Sequence, residues 1–309
     1  MKVFITGASG FIGANLVKEL VARGDKVHIL TRPNSDLWRL TPILKRLHCH
    51  RADIQNKKAI EKIISRIKPA IIYHLSVYGA YHYQTDTEQI FRTALNGTLN
   101  LLLTAKKAGV KMFINTGSSS EYGRKNHPMC ENEILEPNTY YAVAKAGQTL
   151  LCQNFAVSEK LPVITLRLFS VYGDYEEPGR LIPTLIKNAL SGQKLSLASP
   201  KIARDFIYVK DVIRAYMMAA RRPDLTGQIF NIGSGRQTNL KQIADEILQL
   251  TESYSKIVYR QYAKRSFDTD IWLANAKKTA DLLKFKPDYD LRTGLTETID
   301  WFKKHSDRY

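Results

Sequence analysis

The chain has 309 residues, 44% of them hydrophobic and 24% charged, a soluble globular composition with length for one large domain or two smaller ones. No stretch approaches the roughly 20 consecutive apolar residues of a membrane-spanning helix, so no membrane partner is expected. Forty-six Lys and Arg against 29 Asp and Glu leave a formal charge of +17. Such an excess raises the question of nucleic acid. The basic doublets Lys57-Lys58, Lys106-Lys107, Arg221-Arg222, Lys277-Lys278 and Lys303-Lys304 are scattered over expected helix faces and ends and form no tract interleaved with aromatics. They read as solvated faces, with no nucleic-acid partner and a preference for anionic small molecules. Cys49, Cys130 and Cys152 include no CxxC pair, which excludes a disulfide framework and suits a reducing cytoplasm.

In chain order, Lys2 before an apolar run has the look of a signal peptide until Gly7, Gly10 and Gly13 interrupt it. Strands are expected at Lys2 to Thr6, Lys26 to Thr31, Leu47 to Asp53, Ala70 to Ser76, Lys111 to Thr116 and Pro162 to Phe169, with amphipathic helices between them. The first helix carries Ile12, Leu16 and Leu20 at one-turn spacing and ends at Gly24. Six such units in about 170 residues describe an α/β fold, a Rossmann-like doubly wound parallel sheet. Beyond Val171 the rhythm is lost among Gly173, Pro178, Gly179, Pro183, Gly192 and Pro200. A strand-like run Phe206 to Val209 leads into a helix, Gly227 to Gly235 frame another strand, and Leu240 to Leu250 and Leu295 to Phe302 read as helices. Residues 1–170 are therefore expected to form the dinucleotide-binding domain, with segments near 206–235 returning to it. Residues 171–205 and 236–309 are expected to form a smaller C-terminal substrate-binding lobe.

The first motif with chemistry is Thr6-Gly7-Ala8-Ser9-Gly10-Phe11-Ile12-Gly13, between a strand and a helix. In that context the glycines permit a tight turn and close backbone approach, and a pyrophosphate sits against the first amides and the positive end of the helix dipole. The end of the second strand, Leu30-Thr31-Arg32-Pro33, offers no carboxylate for the ribose 2′-hydroxyl of NAD. Arg32 instead suits the 2′-phosphate of NADP, with NAD as the alternative cofactor. Asp53, before Ile54, is placed either to accept from an adenine amino group or to cap the next helix. The second motif, Tyr141-Ala142-Val143-Ala144-Lys145, puts phenol and ammonium one helical turn apart. An adjacent ammonium and a cationic nicotinamide ring both favour phenolate. The third, Asn115 to Gly123, places Ser118, Ser119 and Ser120 at the carboxyl end of the fifth strand, facing the crevice where such sheets bind ligands. His48, Cys49 and His50 have no third ligand at matching spacing, so no metal is expected. His74, Tyr78, Tyr81 and Tyr83 are candidates to line a pocket.

These motifs, with Arg167 to Gly173, Arg204 to Val212 and Asn96-Gly97-Thr98 in order, resemble the extended short-chain dehydrogenase/reductase superfamily, in its nucleotide-sugar epimerase, dehydratase and ketoreductase branch. The resemblance implies Tyr141 as general acid/base, Lys145 on the nicotinamide ribose and Ser118 as the catalytic hydroxyl. Gly7, Gly10, Phe11, Ile12, Gly13, Arg32, Asp53 and Ile54 would bind the dinucleotide. Arg204 and Arg180 would grip a nucleoside-diphosphate sugar, with Ser119, Ser170 and Tyr81 beside it. Ser170 stands where many members have Asn, and Lys210 where many have Asp. Sugar 4,6-dehydratases carry an acid pair at the positions of Ser119 and Ser120, so dehydration is not expected, and Glu121 is one place too far to replace it. The resemblance also implies a homodimer, pairing the segments Glu88 to Lys107 and Tyr140 to Val157 through Leu95, Leu99, Leu102, Leu150, Leu151, Phe155 and Val157. Reduction of a 4-keto-6-deoxyhexose is the expected activity. A 4-epimerase with tightly bound NAD is the alternative, and a non-catalytic redox sensor is a more distant one.

Overall fold

The computed structural model describes residues 1–259 and 269–305. The first half runs β1 (Lys2–Thr6), α1 (Phe11–Ala22), β2 (Lys26–Thr31), β3 (His48–Arg51), α2 (Lys57–Ile67) and β4 (Ile71–His74). It continues through α3 (Thr87–Phe91), a π-helical turn (Arg92–Gly97), α4 (Thr98–Lys107), β5 (Met112–Ser118), α5 (Tyr140–Ser158) and β6 (Val163–Leu168). The second half holds β7 (Ser170–Tyr172), α6 (Leu181–Leu190), β8 (Leu195–Leu197), β9 (Ala203–Tyr208), α7 (Val209–Ala219) and β10 (Ile229–Ile232). After these come β11 (Gln237–Asn239), α8 (Leu240–Leu250), β12 (Ile257–Tyr259) and α9 (Leu291–Lys304).

Among these residues seven strands form one sheet in the order β10-β6-β5-β4-β1-β2-β3, every pair parallel. The order reverses between β1 and β4, and the carboxyl ends of these two strands open the crevice in which doubly wound sheets bind ligands. β9 does not return to this sheet as expected from sequence. It pairs with β7 and β11 in a separate three-stranded sheet, and only β10 rejoins the large one, beside β6. The third strand is also shorter than its sequence suggests, because the chain leaves the sheet after Arg51 to turn toward α2.

Side chains alternate across the sheet, so successive residues of β1 enter different cores. Val3 and Ile5 join a cluster with Leu16, Leu20, Phe230, Ile247, Leu295 and Phe302, continuous into the second half of the chain. Phe4 joins one on the other face with Ile60, Ile64, Leu101, Leu102, Phe113 and Phe155. That second cluster absorbs part of the stripe expected to pair two copies: Leu102 and Phe155 are buried and Leu151 packs against them. Leu99, Leu150 and Val157 stay on the surface, 37%, 58% and 66% exposed.

Candidate active site

Sterics fix the turn between β1 and α1. Gly7 has φ +70°, and a Cβ there would lie 2.5 Å from the Leu75 carbonyl group. A Cβ on Gly13 would lie 2.1 Å from Gly7 O, so helix and turn pack closer than any side chain allows. Gly10 caps α1 without a side-chain acceptor. The opening amides, at Phe11, Ile12 and Gly13, are thus left for an external anion at the positive end of the helix. This cradle fits the pyrophosphate of a dinucleotide.

Beneath it lies His74, which is fully buried and does not line a pocket. Its Nδ1 is 2.7 Å from Thr6 Oγ1 and its Nε2 2.8 Å from Thr98 Oγ1. Burial, with the charge of Lys145, pushes its pKa down to about 3, so a neutral imidazole bolts β4 to β1 and α4.

At the end of β2, Arg32 is exposed, and its guanidinium makes no hydrogen bond or ion pair among the described residues; only its backbone is held, the amide donating to Ser35 Oγ at 3.0 Å. Asp53 is not the cap of the following helix. Its Oδ1 accepts from Gln55 N at 2.8 Å in a local turn, and Asn56 caps α2 by accepting from Ala59 N. The other Asp53 oxygen has no partner within that turn. Ile54 is buried against Gly97.

Ser118, Tyr141 and Lys145 converge from two elements. Thr139 caps α5 by accepting from Ala142 N, which sets Tyr141 in the first turn and Lys145 one turn on. Ser118, at the end of β5, presents its hydroxyl to the Tyr141 phenol and favours its ionised form. Lys145 is buried and its ammonium donates to Thr116 O and, at 2.7 Å, to Gln148 Oε1. Burial brings the Lys145 pKa down to about 8. Burial also pushes Tyr141 up, against the Ser118 hydrogen bond, which opposes it. In the polypeptide alone, burial favours the protonated phenol. The ammonium is spent on Thr116 and Gln148.

The residues proposed around the substrate are more dispersed. Arg180 is exposed at the start of α6, and its charge acts on both Tyr141 and Tyr81. Tyr81 stacks on Tyr83 at 5.5 Å with 8° between planes. Ser170 pairs with Phe206 in the second sheet, two positions from Arg204, whose guanidinium lies over the Trp272 ring at 5.3 Å. Ser119 is buried and its hydroxyl accepts from Trp272 Nε1 at 3.0 Å.

Three features near the site were not read from sequence. Glu121 is completely buried. Its Oε1 accepts from Ser118 N at 2.8 Å, and its Oε2 takes Arg167 Nε at 2.8 Å, so it points into the core and braces the Ser118 turn. Trp272 closes the wall beside Ser119. Arg39 reaches the glycine turn from the segment after β2. Among the described residues no three His, Cys, Asp or Glu side chains are placed to hold a metal. His48 and His50 do gain a neighbour, His28 on β2, but it stacks on His48 at 4.5 Å and does not converge with it on a point. No helix among them is long and apolar enough to cross a membrane.

The model of the NAD dependent epimerase/dehydratase family matches residues 3–233. A UDP-N-acetyl-alpha-D-glucosaminuronate decarboxylase from Bacillus cytotoxicus is 30% identical over 328 residues, spanning 98% of each chain. The crystal structure of a UDP-glucose 4-epimerase from Thermotoga maritima, with UDP-glucose, superposes with a TM-score of 0.90 at 25% identity over 98% of this chain and 99% of that one. A dTDP-glucose 4,6-dehydratase from Bacillus anthracis in complex with NAD superposes with a TM-score of 0.89 at 25% identity over 100% and 98%. Likeness along the whole length places this chain in the NAD dependent epimerase/dehydratase family, as an enzyme of the extended short-chain dehydrogenase/reductase type.

Proposed function

We propose that this enzyme acts at C4 of a nucleoside-diphosphate sugar, in the direction that reduces a 4-keto-6-deoxyhexose, with NADP as its cofactor. One observation carries the reading: Ser118 at the end of β5 meets Tyr141 in the first turn of α5, with Lys145 one turn behind. A bound nicotinamide dinucleotide supplies the hydride. Tyr141 gives its proton to the sugar O4 as the ketone becomes an alcohol, and Ser118 donates a hydrogen bond to the same oxygen. Gly7, Gly10, Phe11, Ile12 and Gly13 hold the pyrophosphate, Asp53 and Ile54 the adenine, Arg32 the 2′-phosphate, and Lys145 the nicotinamide ribose. Arg180 and Arg204 take the sugar diphosphate, and Tyr81, Ser119 and Ser170 the sugar. Residues 171–205 and 236–309 supply most of that second site. Dehydration is disfavoured because Ser119 is committed to Trp272 and Glu121 to Arg167.

A 4-epimerase with tightly held NAD is the second reading, favoured by the likeness to the Thermotoga maritima epimerase and the NAD-bound Bacillus anthracis dehydratase. Mass spectrometry of small molecules released from the purified protein, followed by an assay with NADPH and a nucleotide-linked 4-keto-6-deoxyhexose, separates the two. Stoichiometric NADPH consumption is expected, with little NAD released. Interconversion of C4 epimers without external cofactor overturns the reductase reading. Tyr141→Phe lowers kcat by about 10² to 10⁴ in either case, and a variant with half the activity removes Tyr141 from the chemistry. The surface residues Leu99, Val143, Leu150 and Val157 along α4 and α5 support a homodimer in which these two helices pair with their copies.

A further inference from the structure

Arg39 is nine-tenths buried, and its three hydrogen-bond acceptors lie 30, 136 and 138 positions from it in sequence. Nε donates to Tyr175 O at 2.8 Å, Nη2 to Glu177 Oε2 at 2.8 Å, and Nη1 to Ser9 O at 3.3 Å. Its plane lies over the Trp38 ring at 4.5 Å. Ser9 belongs to the phosphate-binding turn between Gly7 and Gly10. Tyr175 and Glu177 belong to the segment that leads into α6. The guanidinium fork, with fixed donor directions, is the one side chain able to serve all three acceptors at once.

The 173–180 segment is otherwise seated on the dinucleotide half as well. Asn15 Nδ2, on α1, donates to Asp174 O at 2.9 Å, and Lys18 donates to the Tyr175 hydroxyl. Tyr175 is held at φ +68°, a left-handed conformation that a non-glycine residue keeps only when its surroundings impose it. The Glu177 carbonyl accepts from Arg180 N at 3.0 Å, which closes the turn that sets Arg180 at the head of α6. The charge of Arg180 is felt at Tyr141. A continuous path thus runs from Ser9 through Arg39 and Glu177 to Arg180.

We propose that Arg39 is a positioning residue that couples the phosphate-binding turn to the 173–180 segment, so that dinucleotide bound at the turn sets the placement of Arg180 at the head of α6. The proposal rests on the dinucleotide reading of the turn. Its chemistry is simple: an anion at the amides after Gly10 loads the sterically set turn, and the Ser9 carbonyl passes that load to the guanidinium and through it to Glu177. Coupling between two sites needs a shared element that both bias, and this side chain is that element.

Hydrogen exchange read by mass spectrometry on the full chain tests it, with NAD and NADP as probes. In the wild type, the saturating dinucleotide is expected to slow exchange at least fivefold in residues 7–13, which reports binding, and also in residues 173–181, which are assigned no part in holding it. Arg39→Lys keeps the charge but loses the fork. Protection of 7–13 should persist while that of 173–181 falls below twofold. Should this variant fail to fold, Glu177→Ala removes the acceptor on the partly exposed leg of the same path and is expected to give the same loss. A merely structural arginine would lower the melting temperature and leave the response of 173–181 intact, and that result overturns the proposal. So does a wild type in which only 7–13 responds. If neither dinucleotide protects 7–13, the cofactor reading itself fails and the proposal falls with it.

Discussion

Replacing Arg167 with Met keeps most of the aliphatic volume and deletes a cation that is 2% exposed, leaving the Glu121 carboxylate with no accessible surface and without its ion-pair partner. Breaking a buried pair from one side costs about 3–5 kcal/mol, because the remaining ion is neither solvated nor paired. With an unfolding entropy of roughly 2.1 cal/mol/K per residue, a 309-residue chain loses about 5–8 °C of Tm. The side chain also forfeits its place over the Tyr122 ring, 4.6 Å away. In the double variant E121Q/R167M the new amide oxygen can still accept from Ser118 N, and no charge is stranded. It should recover about 1–3 kcal/mol relative to R167M alone. Calorimetry at matched scan rates on the wild type, both single variants and the double variant measures the coupling. A Tm for R167M within 2 °C of wild type, or a double variant less stable than R167M, would show that the pair does not brace the core. Because Glu121 sets the Ser118 backbone, kcat should fall in R167M even well below its Tm.

Arg32→Asp should move preference from NADP toward NAD by roughly 1.5–3 kcal/mol, about ten- to a hundredfold; unchanged dissociation constants for both cofactors would take Arg32 out of the site. Glu176 is buried, and burial raises its pKa to about 8. Between the ordinary carboxylate value and pH 8 the folded chain holds a proton that the unfolded chain has lost, so this group's contribution to stability falls as pH rises through that window. Glu176→Gln should therefore be more stable than wild type at pH 9, by on the order of 2 kcal/mol, with the difference gone near pH 5; melting curves at both values settle it. Leu150→Lys, on the exposed face of α5, should convert a dimer into a species of 35.2 kDa in sedimentation, and a wild type that already sediments at that mass contradicts the pairing.

Strands and helices of the first half were legible because each is local: β1 and β2 end where the sequence places them, and a parallel strand buried on both faces announces itself as an apolar run. The glycine turn and the Tyr141–Lys145 spacing were legible for the same reason, since their geometry is set within eight residues. What escaped was long-range. Glu121 and Arg167 are 46 residues apart, and nothing in either neighbourhood says that the two charges meet in the core. Trp272 finds Ser119 across 153 positions, and Arg39 finds Glu177 across 138. The family resemblance named Leu99, Leu102, Leu150 and Phe155 alike for a dimer seam, yet Leu102 and Phe155 face the sheet while Leu99 and Leu150 face out. An apolar residue on a helix does not say which of two apolar surfaces it meets.

The π-helical turn at Arg92–Gly97 works as a phase shift. One extra residue in the turn rotates everything after it by about 100° relative to a regular α-helix. In that phase Gly97 meets Ile54, where a Cβ would come within 2.8 Å of Ile54 Cγ2, and Asn100 Nδ2 reaches the carbonyls of Ile54 and Gln55 at 3.1 and 3.0 Å. The wall proposed for the adenine is thus indexed by helix length more than by side-chain identity. Deleting a single residue between 92 and 97 would give a better-formed helix with every downstream residue type unchanged, yet it would swing Asn100 off the loop and leave two carbonyls without their donor.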